Sequence, residues 1–101
     1  METQTQEKTK TSLKIKTPKL YKVLMHNDDV TPMDFVVSVL ELIFKHTPES
    51  AYDLMMTVHT EGTAVCGVYT KEIAETRCLQ AKAICDNHAW PLKLTLEPTD
   101  D

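Results

Sequence analysis

The spacing of apolar positions changes period several times along this chain, and each change marks an element. Leu20, Val23 and Leu24 lie among strand-compatible residues, and Asn27-Asp28-Asp29 breaks the run with side chains that favour turns, so a strand is predicted to end at Asn27. Met33, Val36, Val37, Leu40, Ile43 and Phe44 then recur at spacings of three and four. That period predicts a helix over residues 32–45, which Phe35, Val39 and Leu42 widen to burial on more than one side. Thr31 is the expected N-cap, Pro32 the first helical residue and Asp34 a first-turn carboxylate favoured by the helix dipole.

Thr47-Pro48 repeats the cap-plus-proline signal, and a second helix is expected to run toward His59 and stop before Gly62, a left-handed terminator. Only one or two residues at His46-Thr47 would join the two helices, so they should pack as neighbours. Residues 63–70 are β-branched and aromatic and read as a short strand, with Gly67 marking a bend or a close approach. Thr70 can cap a third helix with Glu72 and Glu75 in its first turns. Ala74, Cys78, Ala81 and Cys85 form a stripe of small residues along it, suited to lying close on a sheet. After Pro91, residues 92–96 alternate apolar and polar as a half-exposed last strand. The order β-α-α-β-α-β predicts an α+β fold, a small antiparallel sheet with helices packed on it.

Composition narrows the class. At 101 residues and 42% hydrophobic, the chain can bury one modest core, so a single domain is expected. Residues 1–18 contain little apolar side chain and read as a flexible tail, leaving residues 19–101 as the core domain. Three cysteines, Cys66, Cys78 and Cys85, fall inside predicted elements. This pattern fits small core hydrophobes in a reducing cytoplasm better than a disulfide framework. No leader and no apolar run of the roughly 18 residues a membrane span requires is apparent, so no membrane association is expected.

Charge is divided unevenly: residues 1–19 carry five Lys and two Glu, and the remainder carries six Lys/Arg and thirteen Asp/Glu, together net −4. An acidic folded domain opposes a nucleic-acid partner, because the electrostatic term has the wrong sign. Of the residues able to do chemistry, His26, Asn27, Asp28, Asp29 and the distant His59 stand out. Adjacent carboxylates on a turn diverge, so a metal or other cofactor is not expected. A nucleophile elbow is absent, so an enzyme is not expected. On local pattern alone, Asn27-Asp28-Asp29 is equally well an ordinary turn, and Met33, Met55 and Met56 ordinary core filler.

The combined pattern is more specific than any part of it. Tyr21-Lys22-Val23, then Asn27-Asp28-Asp29-Val30-Thr31-Pro32-Met33-Asp34-Phe35, Val58-His59, Gly62, Ala64-Val65-Cys66-Gly67 and Glu72-Ile73-Ala74-Glu75-Thr76 closely resembles the ClpS family, the adaptors of the bacterial Clp protease. The resemblance runs from Leu20 to Glu97 in matching order and spacing. It implies a three-stranded antiparallel sheet with three helices, similar to the C-terminal domain of the ribosomal stalk protein. It also implies an adaptor that binds substrates with an N-terminal Leu, Phe, Tyr or Trp (N-degrons) and delivers them to the N-terminal domain of the ClpA ATPase; a monomer is expected.

Residue by residue, the resemblance assigns Asn27, Asp28 and His59 to the substrate's free α-amino group. An ammonium offers three donors and a positive charge, and an amide oxygen, a carboxylate and a neutral imidazole supply acceptors. Met25, His26, Thr31, Met33, Val36, Met55, Val58 and Leu92 match the pocket for the first side chain, and Glu72 and Arg77 match positions used toward ClpA. His26 stands where the family usually has an aliphatic residue, a departure that bears on side-chain preference. The alternative reading is a plain interaction module of the ribosomal-stalk type, which would share the fold but lack the amine acceptors.

Overall fold

The computed structural model describes residues 18–99. Strand β1 is Leu20–His26, helix α1 Met33–Leu42, helix α2 Pro48–Glu61, strand β2 Thr63–Thr70, helix α3 Lys71–Asn87 and strand β3 Lys93–Pro98. The three strands form one antiparallel sheet in the order β2-β1-β3, so the first strand in sequence is central. This is the expected α+β architecture. The predicted tail lies almost wholly outside the described residues.

One face of the sheet carries the core. Val23 and Met25 of β1 are 0% exposed, Ala64 and Cys66 of β2 are buried, and Leu94 and Leu96 of β3 are half-buried beside them. Leu24, paired with Val65 on one side and Thr95 on the other, lies on the opposite face together with His26. Helix α3 packs against all three strands and α2 packs against β2 and α1. Ala74 and Ala81, both fully buried, and Cys85, 2% exposed, are the small residues that let α3 lie close, and Cys78 is half-buried at the margin. Burial pushes the Cys66 thiol up to about 12, so it behaves as a core hydrophobe and not as a thiolate.

Several local expectations are corrected by where the hydrogen bonds go. Thr31 is not the cap of α1. The residue before the helix is Pro32, whose carbonyl accepts the N–H groups of Phe35 and Val36, while the Thr31 hydroxyl donates to Asp28. The competing carboxylate sits within three residues and draws the hydroxyl away from the helix. Helix α1 also stops at Leu42, because Ile43 closes it with an N–H to Val39 and Lys45 turns left-handed at φ 61°. The connection to α2 is therefore residues 43–47, longer than expected, although the helices still pack as neighbours. Leu42, expected to widen the buried face of α1, is 61% exposed.

The second helix follows its signals. Thr47 Oγ1 accepts the N–H of Ser50 at 3.1 Å, and Gly62 closes α2 at φ 94°, its N–H donating to Val58. Thr70 precedes α3 but its side chain makes no cap bond. The last strand begins at Lys93, leaving Leu92 as a buried residue ahead of it.

Gly67 lies beside a bulge: Val23 pairs with Gly67 and Leu24 with Val65, so Cys66 is an extra residue on β2. The close neighbour at Gly67 is a side chain, since a methyl group there would collide with the Tyr69 ring. The Cys66 carbonyl does not go unpaired. It accepts from His46 Nε2 at 2.6 Å, and the Ser50 hydroxyl donates to His46 Nδ1 at 3.0 Å, which fastens the helix connection to the bulge.

Candidate functional site

The loop between β1 and α1 is held at both ends by backbone. His26 pairs with Thr63, and the Asn27 N–H donates to the Gly62 carbonyl at 2.9 Å, so the exit of β1 is tied to the C-terminus of α2. His59 lies in the last turn of that helix. In this way the fold brings a residue distant in sequence to the polar turn that follows β1.

The result is a cleft of about 360 Å³ lined by residues 27–33 together with Val36, Met55, Val58 and His59. Its two halves differ chemically. Asn27, Asp28, Asp29 and His59 supply polar groups, whereas Val36, Met55 and Val58 are buried residues that present an apolar wall. Met33, in the first turn of α1, is 44% exposed and belongs to the cleft surface and not to the core.

Asp28 is fixed by its own turn. Its Oδ1 accepts the N–H groups of Val30 at 2.8 Å and Thr31 at 2.7 Å, and its Oδ2 accepts the Thr31 hydroxyl at 2.8 Å. Partial burial opposes ionisation, but the hydrogen bonds from Thr31 and Val30 outweigh it and hold the carboxyl below the usual carboxylate range. Asp28 is therefore an anion at neutral pH. An ionised carboxylate offers about four acceptor positions, so three internal donors leave it about one for a ligand.

Of the residues assigned from sequence, Asn27, Asp28, Thr31, Met33, Val36, Met55, Val58 and His59 meet in this cleft. Three do not line it. Met25 is fully buried, and His26 turns to the open face of the sheet, where its Nε2 shares a 2.8 Å hydrogen bond with Thr95 Oγ1. Leu92 lines a separate groove between α3 and β3, with Cys78, Cys85 and Trp90. Asp29, singled out in the sequence as able to do chemistry but given no contact, also lines the cleft, as do Val30 and Pro32, which sequence reasoning did not include although their place inside the same turn was the available signal.

Glu72 is exposed in the first turn of α3, beside Lys19, Tyr21 and Lys71. Arg77 lies half-buried with its guanidinium 5.9 Å from the centroid of the Tyr69 ring, within cation–π range. Its Nη1 donates weakly to Gln80 at 3.4 Å, and its buried Nε has no partner among the described residues. No helix among the described residues is long and apolar enough to cross a membrane. The described residues also contain no group of three or more His, Cys, Asp or Glu side chains that could hold a metal ion.

Fold and cleft together define a small α+β binding domain, in which anionic and neutral acceptors border an apolar wall. The family model described as ATP-dependent Clp protease adaptor protein ClpS matches residues 16–95, and the chain belongs to that family. It is 51% identical over 84 residues to the ATP-dependent Clp protease adapter protein ClpS of Rhodospirillum centenum, covering 83% of this chain and 78% of the relative. Against the ClpS of Hyphomonas neptunium it is 46% identical over 92 residues, covering 91% and 78%. Among solved structures it is similar to Agrobacterium tumefaciens ClpS2 bound to L-phenylalaninamide, with a TM-score of 0.79 and 41% identity, over 82% of this chain and 100% of that one. The family is one of protease adaptors and not of enzymes.

Proposed function

We propose that the cleft receives the first residue of a protein substrate and that the domain delivers that substrate to a ClpA-type ATPase. The observation that carries this reading is the convergence of Asn27, Asp28 and His59 beside the wall of Val36, Met55 and Val58. An α-ammonium needs acceptors and a negative charge. Asp28 supplies the charge and about one acceptor position, the Asn27 amide oxygen a second and a neutral His59 nitrogen a third. The adjoining wall takes an apolar first side chain, Leu, Phe, Tyr or Trp. The ligand of the similar Agrobacterium protein fits this chemistry, since L-phenylalaninamide has a free amine, a benzyl side chain and a carboxamide where a peptide bond would continue.

The energetics suit a carrier that must also release. Burial of one Leu or Phe side chain contributes about 1.5–3 kcal/mol, and each hydrogen bond to a charged group about 1.5–3 kcal/mol. After the cost of lost rigid-body freedom, the dissociation constant is on the order of micromolar. Glu72 and Arg77 form the contact to the N-terminal domain of the ATPase. The domain works as a monomer in the cytoplasm, where its three free cysteines stay reduced.

The test is titration with peptides that differ only in their first residue, each with a free and an acetylated amino terminus. Acetylated peptides should bind at least about tenfold more weakly, the loss of one charge-assisted contact. Equal affinity for both forms would overturn amine recognition and favour a plain interaction module of the ribosomal-stalk type.

A further inference from the structure

We infer that Thr31 is a positioning residue for the amine site: its N–H and hydroxyl each hold a different oxygen of Asp28, and together they set which lone pair is left for the substrate. The inference rests on the amine reading above and extends it to a residue that the family resemblance places in the side-chain pocket. The geometry assigns Thr31 both roles. Its N–H reaches Oδ1 at 2.7 Å and its hydroxyl reaches Oδ2 at 2.8 Å, and the remaining methyl group is free to face the cleft that Thr31 lines.

The hydroxyl bond is the part that orients. Without the hydroxyl, rotation about Cβ–Cγ would be opposed only by the two N–H bonds to Oδ1, from Val30 and Thr31, and Oδ2 would have no donor of its own among the described residues. The hydroxyl pins the second oxygen and leaves about one acceptor position on it. The same bond supports ionisation, because a donor to a carboxylate favours the charged form. No ion pair to Asp28 is present among the described residues, so these three donors are its internal stabilisation. The other titratable groups facing this region among the described residues are Asp29 on the same loop, His59 across the cleft on α2, and the Cys85 thiol on α3, which burial raises first, then the charges of Asp86 and Asp28.

Two substitutions separate the roles. Thr31→Val keeps the branched shape and the methyl group but removes the hydroxyl donor, whereas Thr31→Ser keeps the hydroxyl and removes the methyl. Thr31→Val should weaken peptides beginning with Leu, Phe and Trp by a common factor, about three- to tenfold. In the peptide-free protein, its Asp28 carboxyl carbon should titrate by NMR at higher pH than in the wild type. Thr31→Ser should leave the Asp28 titration in place and produce a loss that depends on the first side chain. In an Asp28→Asn background, Thr31→Val should have no further effect on affinity.

An unchanged Asp28 titration in folded Thr31→Val would overturn the inference, as would an undiminished Thr31→Val effect in the Asp28→Asn background. Failure of the amine reading itself would look different. The wild type would then bind free and acetylated peptides alike, while the Asp28 titration of the peptide-free variants still reported whether Thr31 holds the carboxylate.

Discussion

The N–H of Asn27 donates to the carbonyl of Gly62 at 2.9 Å, and this bond joins the polar turn after β1 to the end of the helix that carries His59. Backbone therefore ties together the two halves of the proposed amine site. Gly62 can serve because at φ 94° it ends α2 in a left-handed conformation that turns the chain into β2.

Gly62→Ala is expected to destabilise the domain by about 1–2 kcal/mol, the cost of holding an L-residue left-handed. An added methyl would meet nothing within 4 Å, so the cost is backbone strain alone. Gly62→Asn should cost less, since Asn tolerates this conformation. Urea denaturation of the three proteins checks the order; an alanine variant as stable as the wild type would contradict it.

Asp28→Ala should weaken every free-amine peptide by a similar factor, because in the proposed mode the carboxylate would meet the group all substrates share. A loss that varied strongly with the first side chain would move Asp28 out of the amine site.

Asp28 also makes stability depend on acidity. Its folded pKa lies below the ordinary carboxylate value, so its contribution is complete above about pH 4, the unfolded range, and is lost as pH falls through the folded value. The stability gap between wild type and Asp28→Ala should therefore be larger at pH 7 than at pH 2, measured by urea denaturation at both. A gap that widened in acid would have the wrong sign.

Met33 stands in the first turn of α1 at the cleft surface. A thioether there would fill the space beside the β-carbon of a bound first residue in the proposed mode, favouring Leu and Phe over β-branched Ile and Val. At 44% exposure its truncation should cost well below the roughly 2–5 kcal/mol of a buried methionine. Met33→Ala should stay folded and gain affinity for peptides beginning with Ile or Val. Unchanged discrimination between Leu and Ile would assign selectivity to Val36 or Met55 instead.

Gly67 leaves room for the Tyr69 ring, over which the Arg77 guanidinium sits. Gly67→Ala should displace that ring, move Arg77, and weaken binding to the N-terminal domain of a ClpA-type ATPase while peptide affinity changes little. Calorimetry with each ligand reads the two effects separately; a loss confined to peptide binding would count against Arg77 as the ATPase contact.

What the sequence determined by itself was the set of elements and most of their ends. Thr47-Pro48 and Gly62 act through bonds and torsions within a few residues, and the small stripe of α3 follows from helical period, so neither needs tertiary context. The same locality explains where that reading failed: the Thr31 hydroxyl had two partners in reach, the N–H groups of the helix start, from which its oxygen would accept, and the Asp28 carboxylate, to which it donates, and only the folded turn selects between them. Tertiary structure alone decided that β1 lies between β2 and β3, that His26 turns to Thr95 on the open face, and that Met25 is sealed in the core. It also decided that His59 reaches the turn of Asn27 and Asp28. Those outcomes depend on pairing and burial between segments far apart in the chain, and no local preference encodes which face of a strand will meet which helix.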